Sequence, residues 1–337
     1  MNLKSFFSVS DTIPRDGSED VTSGLQKLID ENPNRTLFFP DGIYRISSPL
    51  VTPADPRKSV SLALSDFAVI RACEGWSSDE AMIRLGGSFP YNDISINGSN
   101  YSLTGGIIDG NGVADAISIE SGRETSLRNI SIKHARAGIR LKRGANSNSS
   151  DADITGVNIF GNGTSESFGV IVESSDNTFS DMRIANVYTG VKLCEGAGGN
   201  VLRNIHPLYY LSTYADYSGS CGFLDLNGNN CYYMCYSDQF SNGFRFGENA
   251  AGSILDSCMC YWYSSEGDTE TAIRCDGQFR SAVTNIKVGF RAAVSRAVLS
   301  AVRPGGKGYL QNICLCHGDE SLLGDASFRD YLRGTVL

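Results

Sequence analysis

Two acidic side chains, Glu120 and Glu173, and five basic ones, Arg140, Lys142, Lys192, Arg245 and Arg274, fall at alternate places in a short phrase that this sequence keeps repeating, with a third acid, Asp225, one place off. Two carboxyl groups flanking a glycosidic bond can break it, one donating a proton while the other activates water or attacks directly. Cations on the same surface would hold substrate hydroxyls or carboxylates. Aromatic residues supply the remaining requirement of a sugar site, because sugar rings stack on aromatic faces. Tyr210, Tyr214 and Trp262 occur in the longest stretches between copies of the phrase.

The phrase itself dictates how these residues are held. It reads AISIESG at 116, GIRLKRG at 138, GVIVESS at 169, GVKLCEG at 190, GFLDLNG at 222, GFRFGEN at 243 and AIRCDG at 272. Each copy is a small residue followed by an apolar, outward, apolar alternation, the pattern of one short strand. A second strand phrase follows most copies, as in NISI at 129, NVLRNI at 200 and NIKV at 285. The copies recur about every 20 to 30 residues, a period that marks a solenoid and leaves no room for a helix. The expected fold is all-β, a single-stranded parallel β-helix with Asn and Gly at the bends. One continuous domain over 1–337 is expected: a cap and first strands over 1–50, coils over 51–316, and a C-terminal cap over 317–337.

Alternation along each strand fixes the expected site face. If the first and third positions of the phrase point inward, Ser118 and Glu120, Arg140 and Lys142, Ile171 and Glu173, Lys192, Arg245, Arg274 and Asp276 point outward. Asp225 joins them if its copy is shifted by one residue. Glu173 is the first choice for base or nucleophile, because Arg140, Lys142 and Lys192 on flanking coils favour its ionised form. Asp225 lies two coils on, roughly 10 Å at ~4.8 Å per coil, near the upper limit for an inverting pair. Glu120, Asp216 and Glu266 are the alternative acids. The competing reading is ordinary surface ion pairing between opposite charges one coil apart.

The N-terminal stretch adds a resemblance. DGSEDVTSGLQKLID followed by FFPDGIYRI, within residues 16–46, resembles the opening of the pectate-lyase-like superfamily of parallel β-helix proteins. The residues themselves offer an N-cap at Asp20 followed by Val21, Leu25, Leu28 and Ile29 on one helical face, then a strand–turn–strand around Pro40, Asp41 and Gly42. The resemblance implies a right-handed parallel β-helix in which this short N-terminal helix caps the open end. It implies architecture and no particular reaction. GGIIDGNG at 105 and the Arg140, Leu141, Lys142 run also resemble features of polygalacturonase-type hydrolases. The Asn-x-Asp, Asp-Asp and Gly-His-Gly motifs of those enzymes are absent from this sequence, so polygalacturonase itself is not expected.

Composition bounds the function. A net charge of -8 argues against general nucleic-acid binding, and no long apolar run suggests a membrane span. MNLKSFFSVSDT lacks the layout of an export signal, so the chain reads as cytoplasmic. Cys258 with Cys260 and Cys314 with Cys316 sit two apart in strand-like runs and are expected as stacked, buried thiols. The expected protein is a glycoside hydrolase acting on an oligosaccharide without a cofactor or metal. The first alternative is a uronate lyase using Arg or Lys, with Ca²⁺ needed only in that case. The second is a non-catalytic, glycan-binding, tailspike-like protein. Solenoids of this type sometimes form homotrimers.

Overall fold

The computed structural model describes residues 5–86, 101–120, 124–143, 149–210, 217–263, 269–290, 295–316 and 331–336. The chain divides into two compact units, Met1–Asn162 with Glu173–Thr178, and Gly163–Val172 with Phe179–Leu337. Each is a stack of parallel strands, so the expected parallel β-solenoid is the fold found.

In the first unit the copies at 116 and 138 form Ile117–Ile119 and Ala137–Leu141, which continue in parallel from the strands Leu50–Val51 and Ile83–Leu85. Their register sets Ile83, Ile117 and Ile139 side by side, then Arg84, Ser118 and Arg140, then Leu85, Ile119 and Leu141. The two apolar files are fully or almost fully buried, and each such side chain contributes about 1.5–3 kcal/mol relative to exposure. The other wall uses two strands per coil, one file running Arg35–Phe39, Ser61–Leu64, Ser102–Thr104, Ser126–Arg128, Asp153–Thr155. A corner residue with positive φ separates the two strands, as at Asn129 (55°) and Gly156 (67°). At Gly156 a Cβ would stand 2.6 Å from Asn129 Oδ1, so the bend needs glycine there.

The cap follows the sequence reading closely. Helix α1, Thr22–Glu31, buries Leu25, Leu28 and Ile29, with Val21 also buried at its start. Asp20 does not cap it in the strict sense; its Oδ1 accepts hydrogen bonds from Thr22 N at 2.9 Å and Thr22 Oγ1 at 2.5 Å. Strands Arg35–Phe39 and Gly42–Ile46 flank the expected turn, and Tyr44 Oη donates to Pro40 O at 2.9 Å across it. Of the expected C-terminal cap, 317–330 lies outside the described residues; Leu332–Val336 is a strand pairing with Tyr309–Cys316. Among the described residues no helix is long and apolar enough to cross a membrane.

In the second unit the phrase builds Phe168–Val172, Thr189–Leu193, Cys221–Asp225, Asn242–Phe246 and Thr269–Gln278, again parallel, with Ser295–Arg303 added after them. Phe223 and Phe244 stack at 4.7 Å in its core, with Tyr232 edge-on to both. Corners fall at Asp181, Asn204, Met234, Ser257, Asn285 and Asn312, all with positive φ. Polar side chains stack along part of this edge: Asn204 Nδ2 donates to Asp181 Oδ1 at 2.7 Å, and Asn312 Nδ2 to Asn285 Oδ1 at 3.1 Å.

Register also corrects three sequence readings. Asp225 aligns with Leu193 and Phe246 on the inside, because no one-residue shift occurs in its copy; Phe223 points inward, and a residue two positions on shares its side. Trp262 continues the inward parity of Cys260 and is 1% exposed, its indole N–H donating to Phe240 O at 2.7 Å. It fills the core and offers no face to a sugar. Cys258 and Cys260 are buried as expected, whereas Cys314 and Cys316 are half-exposed. The corner at Asn312 resets parity, leaving Ile313 inside and both thiols outside.

Candidate active site

The outward files of the first unit bring expected site residues together. Backbone bonds from Glu120 N to Leu85 O, Lys142 N to Ile119 O and Glu173 N to Leu141 O place Glu120, Lys142 and Glu173 on successive rungs. Beside them run Arg84, Ser118 and Arg140. Arg140 Nε donates to Glu173 Oε1 at 2.9 Å.

Glu120 is the centre of the group. Its Oε1 accepts from Ser118 Oγ at 2.6 Å and Arg84 Nε at 3.1 Å, and pairs with Lys142 Nζ at 3.2 Å. Its Oε2 accepts no hydrogen bond among the described residues. Burial pushes this carboxyl up, but the Ser118 hydroxyl, Arg84 and Lys142 outweigh it and hold Glu120 below its ordinary range. The side chain is 6% exposed and ionised.

Glu80 was missed by the sequence reading. It lies outside every copy of the phrase, four residues before Arg84, and its Oε2 stands 3.7 Å from the same Arg84 Nε that holds Glu120. Lys142 Nζ also bonds both carboxylates. Sharing two cations keeps the facing oxygens of Glu80 and Glu120 close together, as a retaining pair requires more than an inverting one. The signal in sequence was slight: a Glu four residues before an Arg that sits in a strand.

The remaining expected residues belong to the second unit. Arg245 Nε and Arg274 Nε, on adjacent rungs, meet Asp276 at 2.8 and 3.2 Å. Lys192 Nζ stands 5.5 Å above the Phe168 ring. Tyr210 is 50% exposed, whereas its neighbour Tyr209 is buried. Tyr214, Asp216 and Glu266 lie outside the described residues.

Asp225 sits inside the second unit as the hub of a polar network. Its oxygens accept from Asn227 N, Gly228 N, Asn230 Nδ2, Tyr232 Oη and Ser253 Oγ at 2.7–3.2 Å. At 1% exposure it cannot touch a substrate outside the coil.

A second charged group occupies the other wall of the first unit. Asp109, from the GGIIDGNG stretch, receives Arg71 Nε at 2.9 Å and Asn111 N at 3.0 Å, and its Oδ1 lies 3.1 Å from His134 Nδ1. His134 is the bulged residue of its strand, with φ +50°. Burial pushes Asp109 up, but Asn111 N, His134 and Arg71 outweigh it and hold the carboxyl below its usual range. Depressed carboxylates stabilise the fold above the unfolded value of about 4, and that contribution disappears as pH falls through the folded value. The urea midpoint is therefore expected to fall between about pH 5 and pH 2, less steeply in Asp109→Asn and Glu120→Gln. An unchanged slope in both variants would remove these groups from the acid response.

Among the described residues no three His, Cys, Asp or Glu side chains converge as a metal site. The profile of the family described as rhamnogalacturonase A/epimerase, pectate lyase-like, matches residues 6–214, and the chain belongs to that family. No curated protein sequence matches it. Solved structures of similar fold include tailspike protein gp49 from Acinetobacter baumannii bacteriophage Fri1, a capsular polysaccharide depolymerase, with TM-score 0.65, 9% identity, and 99% of this chain and 63% of that one covered. The catalytic unit of a GH87 alpha-1,3-glucanase from Streptomyces thermodiastaticus gives TM-score 0.55 and 14% identity over 100% and 68%. The surface protein and adhesin PfbA of Streptococcus pneumoniae gives 0.58 and 15% over 93% and 100%. At such identities the likeness speaks for the fold.

Proposed function

We propose that the chain is a glycoside hydrolase cleaving an oligosaccharide on the outward face of the first unit, with Glu120 and Glu80 as its carboxylate pair. The observation that carries this reading is the sharing of Arg84 and Lys142 by both carboxylates. Glu120, ionised, attacks the anomeric carbon through Oε2, which accepts no hydrogen bond among the described residues, while Glu80, 40% exposed, takes up a proton from solvent and passes it to the departing oxygen. Water then releases the glycosyl group from Glu120, with Glu80 taking the proton, and the product keeps its anomeric configuration. Arg140 and Glu173, one and two rungs along, bind neighbouring hydroxyls.

A lyase would need an unprotonated Lys or a free cation to meet the uronate. Here Lys142, Arg84 and Arg140 are each already paired with a carboxylate. That geometry favours hydrolysis. A panel of neutral and acidic oligosaccharides, read by mass, ultraviolet absorbance and proton NMR of the first-formed anomer, tests the reading. The expected product is heavier by one water, with retained configuration. An unsaturated product would replace hydrolysis by elimination, and binding without turnover would make the chain a glycan-binding protein.

A further inference from the structure

The half-exposed thiols at the last described coil of the second unit have no part in the proposed hydrolysis. Cys314 and Cys316 lie on one face of the strand Tyr309–Cys316, opposite Lys287 and Gly289 of the neighbouring strand. Their sulfurs are 3.7 Å apart and unbonded. Residues two apart on a strand have Cα atoms roughly 6.7 Å apart, at the upper end of the span a disulfide bridges. Closing the sulfurs needs a small rotation of each side chain and a slight pucker of the strand. The other close pair among the described residues, Cys235 and Cys258, is buried and closed to solutes.

We infer that Cys314 and Cys316 form a vicinal dithiol that closes to an intrastrand disulfide by exchange with a low-molecular-weight disulfide. One thiolate attacks a sulfur of the reagent, forming a mixed disulfide and releasing one thiol. The second attacks the protein-bound sulfur of that mixed disulfide and releases the other thiol. Both cysteines lose a proton and together two electrons, and the reagent is reduced to two thiols. The hydrogen bond to Cys316 and burial push the Cys314 thiol up, opposed by Lys287, so the exchange speeds up with rising pH. Puckering an extended strand to fit the bridge strains the disulfide and makes it easy to reduce, as a reversible modification requires.

The test titrates the folded full chain with oxidised glutathione and follows intact mass and released glutathione. The expected result is a chain lighter by two hydrogens, two glutathione molecules released, a Cys314–Cys316 link by peptide mapping, and full reversal by dithiothreitol. Cys314→Ser and Cys316→Ser should each stop at a single glutathione adduct at the remaining thiol. Phenylarsine oxide, which needs two adjacent thiols, should bind the wild type once at this strand and neither variant. A wild type that keeps its glutathione adduct, fails to react at these positions, or links a different pair would overturn the inference.

Discussion

Glu120→Gln is expected to cut turnover of whichever oligosaccharide the chain cleaves by about 10³-fold or more, with little change in KM. The amide keeps the shape of the carboxylate and can still accept from Ser118 and Arg84, so substrate binding survives. What it lacks is the negative charge that attacks the anomeric carbon. Glu80→Gln should also lower turnover, but less for substrates whose leaving group is a good one, since such groups need no proton. That contrast separates the roles: an activated aryl glycoside should rescue Glu80→Gln and leave Glu120→Gln inactive. Equal rescue of both, or of neither, would make the two glutamates a structural ion-pair group around Arg84 and Lys142. Single-turnover kinetics on the two variants would make the measurement.

The repeat phrase carried the architecture because alternation and bends are local properties. Ile117, Ile139, Val191, Phe223 and Phe244 are buried where a two-residue period puts them, and Asn129, Asn204 and Asn285 turn the corners as Asn is suited to do. The same locality placed Glu120, Arg140, Lys142 and Glu173 on one surface. Asp225 was misassigned for a different reason. Its charge suggested an outward position, but a coil interior can hold a carboxylate if enough donors converge, and the donors come from Asn230, Tyr232 and Ser253 in the same and the next coil. Glu80 was missed because its link to Lys142 spans 62 residues and no repeat marks it. Trp262 illustrates the limit of composition: an aromatic residue near a long loop suggests a stacking platform, yet its parity with Cys260 sends it into the core. In each case the deciding quantity was register or a long-range contact.

The interior position of Asp225 leads to the second large effect. Asp225→Ala should destabilise the second unit by about 3–5 kcal/mol, because it strips the acceptor from two backbone N–H groups, one amide and two hydroxyls that no water can easily reach. Asp225→Asn should cost less, about 1–2 kcal/mol, since its carbonyl keeps part of the network and the Tyr232 and Ser253 hydroxyls can turn to accept from its amide. Urea unfolding followed by a probe in the second unit would give both values. Activity per folded molecule should stay within about twofold of the wild type in both variants, since the carboxylate faces the coil interior at 1% exposure. The opposite pattern, a stable fold with turnover abolished in Asp225→Asn, would mean that the carboxylate reaches the substrate and that its buried network opens during the reaction. Unfolding and turnover together therefore distinguish a carboxylate that holds the coil closed from one that acts on sugar.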